Sequence, residues 1–141
     1  KQSLFDKYII HQQFYEGRGT LACAAAIAAI KFTLENDLPA QIQKKGDYFM
    51  QKLEALQKKH SILVDVRGKG LPIGLEYPTP EIGRAVSKGL FKRGVVTGGT
   101  LDNASVNRIE PPGIISYQTI DTVIDRLDET LAEVAEEFEA S

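Results

Sequence analysis

Most of what this sequence lacks concerns metals, membranes and nucleic acids. A single cysteine, Cys23, among 141 residues excludes an internal disulfide and a cysteine-based zinc cluster. The two histidines, His11 and His60, stand far apart and match no metal-ligand spacing. Neither sign of charge dominates: the formal net charge is -2, so there is no basic footprint for nucleic acid. The longest apolar run, Leu21 to Ile30, has ten residues, about half of what a membrane span needs. No basic-then-apolar leader opens the sequence. Gly68-Lys69-Gly70 lacks the third glycine and the following helix of a dinucleotide site. There is no internal repeat and no low-complexity tract. These absences leave a reducing, cytoplasmic setting as the expectation.

What is present is an ordinary globular composition. Apolar residues make up 43%, which argues against wholesale disorder. A chain of this length is one domain or a large piece of one, and it buries about two thirds of its unfolded surface. It begins with Lys1 in a segment that looks mid-domain, so the expectation is a piece of a longer protein.

Along the chain, Phe14 to Thr20 reads as a loop, and Thr20 is placed as the N-cap of a helix from Leu21 to about Glu35. That helix is alanine-rich and apolar on nearly every face, with Cys23, Ile27, Ile30 and Leu34 on one stripe. It is expected to be buried against another element, and Cys23 to be a small buried hydrophobe rather than a nucleophile. Asn36-Asp37-Leu38 breaks the helix and Pro39 suits the first turn of the next. There Ile42, Phe49, Leu53 and Leu56 recur at helical spacing, while Lys44, Lys45, Lys52 and Lys58 read as a solvated face rather than a phosphate site.

Ile62 to Arg67 is expected to be a strand with Ile62, Val64 and Val66 on one face. After the Gly68–Gly70 turn, Leu71, Ile73, Leu75 and Tyr77 alternate along the returning strand, part of which Pro72 demotes to an edge or bulge. Thr79 caps and Pro80 starts a helix with Ile82, Val86 and Leu90 on its apolar stripe, stopped at Gly94. Gly94 to Pro112 reads as strand, glycine-rich loop, strand. Val95 and Val96 supply the first strand, Gly98, Gly99, Asp102 and Asn103 the turn, and Val106 to Ile109 the second, ended by Pro111-Pro112. Ser116 caps a last helix carrying Ile120, Val123, Ile124, Leu127, Leu131, Val134 and Phe138. Two strands between helices, twice over, imply an α+β fold: a small sheet of about four strands with helices on one face.

Arg108 stands near the end of the last strand. A sheet-held guanidinium is a planar fork suited to a carboxylate; the plainer reading is an arginine that faces solvent or pairs with an acid.

Three segments carry a resemblance: Leu21-Ala22-Cys23-Ala24-Ala25-Ala26, Val66-Arg67-Gly68-Lys69-Gly70-Leu71-Pro72-Ile73-Gly74, and Arg108-Ile109-Glu110-Pro111-Pro112. In this order they resemble the C-terminal part of class III aminotransferases, nearest in look to the putrescine, ornithine, acetylornithine and 4-aminobutyrate branch. Each motif alone is weak; the three in register are specific. The resemblance implies the C-terminal small domain of a type I pyridoxal-phosphate-dependent transferase over residues 39–141, preceded over 1–38 by a loop and an inter-domain helix. It implies a parent that transfers an amino group from an amine or ω-amino acid to a keto acid such as 2-oxoglutarate, as a homodimer.

In that family the arginine of Arg-x-x-Pro-Pro binds the substrate α-carboxylate, a role that falls on Arg108. The loop before the alanine-rich helix meets the cofactor phosphate of the partner subunit, which implicates Tyr15, Gly17 and Thr20. The family threonine of that loop falls on Phe14, which cannot donate to a phosphate, so the contact passes to Thr20 or to backbone N–H groups. The family's cofactor lysine and pyridine-nitrogen aspartate lie upstream, and no lysine here sits in a matching motif. Cofactor chemistry needs both. Two further readings stay open: a stand-alone binding or assembly module that kept the fold and lost the chemistry, and a neighbouring activity of the same family such as an aminomutase. The expected outcome for the isolated chain is a folded protein with no covalent pyridoxal phosphate. Treatment with the cofactor and borohydride, followed by mass spectrometry, checks this; a stable adduct would count against it.

Overall fold

The computed structural model describes residues 19–100 and 102–139. The chain divides into two compact units, Lys1–Asp37 and Leu38–Ser141. In the first, the described structure is one helix, α1 (Thr20–Glu35). Gly19, not Thr20, holds the cap position, and no side chain caps it. Thr20 is already inside the first turn, where its hydroxyl no longer has the extended backbone that a cap requires. None of the residues of α1 is buried, and Leu21, Ile27, Ile30 and Leu34 are exposed. Cys23 is exposed as well, against expectation. An all-round apolar helix needs a partner on every face, and no described element of its own unit supplies one.

The second unit runs α2 (Leu38–Lys59), β1 (Asp65–Gly68), β2 (Ile73–Glu76), α3 (Pro80–Lys92), β3 (Gly98–Gly99), β4 (Val106–Ile109) and α4 (Tyr117–Glu139). The four strands form one antiparallel sheet in the order β1-β2-β4-β3. This is the α+β architecture read from the sequence. The alternation expected for Leu71, Ile73, Leu75 and Tyr77 holds, and all four are buried. Leu71 and Tyr77 flank β2 rather than belonging to it.

Register places Val66 opposite Leu75, Leu75 opposite Asn107, and Ile73 opposite Ile109. Side chains alternate along a strand, so these residues share one face. Together with Phe49 and Leu53 of α2, Val86 and Leu90 of α3, and Ile120, Leu127 and Leu131 of α4 they make one core. Each such aliphatic or aromatic side chain contributes about 1.5–3 kcal/mol on full burial. The helices therefore cover one face of the sheet.

Three expectations are corrected. Val64 is exposed, because the chain enters β1 irregularly and Ile62 and Leu63 are both buried. Lys45 is buried rather than solvated; its Nζ donates to the Gly113 carbonyl at 3.0 Å and ties α2 to the segment that follows β4. The strand before the glycine-rich loop is Gly98–Gly99, not Val95-Val96, and Val96 is 80% exposed. β3 is the sheet edge, where backbone pairing to β4 decides the strand and side-chain propensity does not.

Other elements follow their local signals. Thr79 caps α3, its Oγ1 accepting from the Ile82 amide. Gly94 ends the segment after α3 at φ 76, a conformation that suits glycine. Ser116 Oγ accepts from the Thr119 amide at the start of α4. Within α2, Gly46 meets the turn between β1 and β2 so closely that a β-carbon would lie 2.3 Å from the Gly70 carbonyl oxygen. Glycine is unfavourable inside a helix, and here the close approach to backbone requires it.

Ion pairs join the helices. Arg93 reaches Glu129 at 3.2 Å and Glu133 at 2.8 Å, tying α3 to α4. Lys52 and the Tyr48 hydroxyl both meet Asp121, and Tyr48 stacks edge-on against Tyr117 at 5.0 Å. At the far end of α2, Lys59 and the largely buried His60 converge on Asp128 of α4. Lys59 first and then His60 hold the Asp128 carboxyl below its ordinary value. A depressed folded pKa means stability that is full above the unfolded value, near 4, and is lost as pH falls through the folded one. Asp128→Asn should therefore lower the melting temperature at pH 7, and its gap to the wild type should close below about pH 4. Circular-dichroism melts across that range check both limbs.

Candidate functional site

The face of the sheet away from the helices carries a row fixed by register. Arg67 of β1 pairs with Gly74 of β2, Gly74 with Arg108 of β4, and Arg108 with Gly98 of β3. Arginine and glycine thus alternate across all four strands. Adjacent strands lie about 4.8 Å apart, so the two arginines stand roughly 10 Å apart across a bare glycine. Between them opens a cleft of 300 Å³ lined by Arg67, Pro72, Gly74, Thr100, Val106, Arg108 and Glu110.

The two guanidiniums are not equivalent. Asp65 and Glu76 are directly opposed across β1 and β2, where like charges repel. Arg67 Nη1 donates to both carboxylates, which offsets that repulsion. Arg108 is held more lightly. Its Nε donates to the Gly99 carbonyl at 3.1 Å, and its Nη1 stands 3.4 Å from Glu110. Nη2 has no partner among the described residues. The side chain is 49% exposed. Arg67 thus sits between two close carboxylates, whereas Arg108 has one, at a longer distance.

A larger groove of 660 Å³ runs along the other side of the 109–116 segment, between Val95 to Thr97 and α4, and is lined mainly by apolar side chains. Glu110 borders both cavities, so the turn after β4 separates them. Among the described residues no group of His, Cys, Asp and Glu could hold a metal ion.

Of the residues expected at a site, Tyr15 and Gly17 lie outside the described residues. Thr20 is the exposed first residue of α1, in the other unit. Arg108 stands where expected, at the end of β4 before the Pro-Pro stop. What sequence reasoning missed is its surroundings: Arg67, Gly74, Gly98, Gly99 and Glu110. The Arg67–Gly74 juxtaposition is a hairpin contact that alternation could have suggested. Gly98 and Gly99 read as turn residues, and nothing local marks them as a strand.

A comparison with known families decides what this arrangement belongs to. Residues 11–131 match the family described as Aminotransferase class-III. The chain belongs to the class III aminotransferases. Solved structures agree with that assignment. Acetylornithine aminotransferase from Elizabethkingia anophelis is 28% identical, with a TM-score of 0.73 over 80% of this chain and 28% of that one. A transaminase solved with L-ala is 29% identical, TM-score 0.75, over 84% of this chain and 29% of its own. An S-selective transaminase from Bacillus megaterium is 25% identical, TM-score 0.73, over 80% and 28%. The chain thus spans less than a third of the length of these relatives.

Enzymes of this family imply pyridoxal phosphate, and the described residues do not fit it by themselves. Neither of these two cavities is lined by a lysine that could link to the cofactor aldehyde; Lys88 and Lys92 line a separate cavity between α3 and α4. The buried lysine, Lys45, has its Nζ on the Gly113 carbonyl. What this part of a class III aminotransferase presents is a half-exposed guanidinium, Arg108, beside an open cleft.

The Arg67 cluster gives the test that belongs to this geometry. Arg67→Ala leaves Asp65 and Glu76 opposed without a cation, so the denaturation midpoint should fall. Adding Glu76→Gln to that variant removes the repulsion and should recover most of the loss. A double-mutant cycle in urea checks both.

Proposed function

We propose that Arg108 receives the carboxylate of a keto-acid or amino-acid substrate in a pyridoxal-phosphate-dependent aminotransferase of which this chain forms the C-terminal small domain. The observation that carries the reading is a half-exposed guanidinium at a strand end, with Nη2 unpartnered among the described residues, facing a cleft. Its position in Arg-Ile-Glu-Pro-Pro and the family membership support it. The amino donor is an amine or ω-amino acid and the acceptor a keto acid such as 2-oxoglutarate. The parent acts as a homodimer in the cytoplasm, with the cofactor phosphate approached by the partner's residues Tyr15, Gly17 and Thr20. Among the described residues no helix is long and apolar enough to cross a membrane.

The part of the reaction that falls to these residues is binding and orientation. A guanidinium fixed at a strand end holds the carboxylate in one plane and so restricts where the reacting carbon of the substrate sits. Glu110 takes up part of the charge when no substrate is present. Sheet and proline stop keep Arg108 from following a misplaced ligand. Pyridoxal phosphate supplies the chemistry at the amino-bearing carbon, from groups outside this chain.

The second reading, a binding module without catalysis, draws on the lack of a lysine in the two cavities that Glu110 borders. The length of the natural product separates the two, since an upstream region carrying the cofactor lysine belongs only to the enzyme. In that longer protein, Arg108→Ala should raise the Michaelis constant for the keto acid roughly tenfold to a hundredfold, the equivalent of one charge-assisted hydrogen bond of about 1.5–3 kcal/mol. A diamine donor, which has no carboxylate, should lose far less in its own half-reaction. Single-turnover measurement of each half-reaction checks the asymmetry; equal losses would return Arg108 to a structural role.

A further inference from the structure

We infer that the Gly98–Gly99 edge strand is the positioning device of Arg108: Gly98 is the seat on which the guanidinium lies, and the Gly99 carbonyl fixes which of its edges meets a carboxylate. The inference rests on the reading of Arg108 as the carboxylate anchor and adds the residues that aim it.

A guanidinium offers a carboxylate two bidentate edges. One is formed by Nε and Nη2, the other by Nη1 and Nη2. In this protein the Nε–H is already donated to the Gly99 carbonyl at 3.1 Å. The Nε edge is thereby closed, and the Nη1–Nη2 edge is the one left to form a bidentate pair. Its resident contact, Glu110 at 3.4 Å from Nη1, is long and half-exposed, so a substrate carboxylate can replace it.

Nε reaches the Gly99 carbonyl because the side chain lies flat over β3. A β-carbon at Gly98 would stand 3.6 Å from Arg108 Nη2, 3.7 Å from Nε and 3.9 Å from the Arg108 β-carbon. One methyl there would make ordinary contact. A γ-carbon reaches about 1.5 Å further, into the space of the guanidinium itself. Valine fills two of the three staggered positions on its β-carbon, so it lifts the guanidinium off the carbonyl. Gly99 is the internal control. Its β-carbon would meet nothing within 4 Å. Neither glycine has a positive φ, so the backbone admits side chains at both positions. Valine also favours a strand, which protects folding in both variants. On Arg108's other side Gly74 keeps the cleft floor clear, and a β-carbon there would reach Val106 at 3.5 Å.

The test uses the full 141-residue chain with arginine side-chain NMR and glutarate as the carboxylate probe. The Arg108 Nε–H resonance should be protected from exchange in the wild type, in Gly98→Ala and in Gly99→Val, and should lose protection in Gly98→Val. Glutarate shifts should saturate at about tenfold higher concentration in Gly98→Val and at unchanged concentration in the other two. Arg108→Gln should abolish them. Unchanged protection and binding in Gly98→Val would overturn the inference. Lost protection with unchanged binding would also overturn it, while leaving Arg108 as the anchor. Glutarate shifts that survive Arg108→Gln would overturn the anchor itself, and the inference with it.

Discussion

A slip of one residue between β2 and β4 would turn Ile109 and Asn107 out to solvent and drive Arg108 into the core. Side chains alternate with a period of two, so register assigns every residue of β4 to one world or the other. The pairing of Ile73 with Ile109 and of Gly74 with Arg108 is therefore the constraint on which both the core and the cleft depend. Apolar burial on the helix face holds that register. The cost of burying an unpaired guanidinium, several kcal/mol, opposes the alternative. The cleft thus inherits its geometry from the packing on the opposite side of the sheet.

The helices reinforce the same frame from behind. Gly46 lets α2 approach the β1–β2 turn to backbone contact, which sets the height of α2 over the sheet. Lys45, next to it, pins the segment after β4 through the Gly113 carbonyl. One turn of α2 thereby fixes the sheet on one side and, on the other, the loop that follows Arg108. The Pro111-Pro112 stop removes two backbone donors there, and the lysine contact further limits the routes the chain can take. Asn107, on the helix face, donates its side-chain amide to the Gly83 carbonyl at 3.0 Å and so ties β4 to α3. Arg108 is held at a strand end whose neighbours on both sides are themselves tied to helices.

The cleft face shows how charge is divided. Asp65, Arg67 and Glu76 form a set in which one guanidinium nitrogen, Nη1, meets both carboxylates. Arg108 shares its charge with one longer contact. Two arginines on one face thus differ in the number and closeness of the carboxylates beside them.

Much of the fold was legible along the chain because its signals are local. The capping threonine and serine, the proline after Thr79, the helix-ending Gly94 and the strict apolar spacing of α4 each act within a turn or two. They determined element order, the helix boundaries of α3 and α4, and the period-two alternation of Leu71, Ile73, Leu75 and Tyr77. The motif Arg-Ile-Glu-Pro-Pro marked Arg108 as the residue to follow. Other features depend on partners distant in sequence, and the tertiary structure decided them. Val95-Val96 has the better strand propensity, yet Gly98–Gly99 pairs with β4, because edge-strand formation is settled by which backbone amides meet the ladder. Lys45 reads as a surface lysine until the Gly113 carbonyl, 68 residues away, comes within reach. The Arg-Gly-Arg-Gly row exists in no stretch of sequence. It appears only when three antiparallel pairings put residues 67, 74, 108 and 98 side by side, and sheet register is a long-range property that no local propensity encodes.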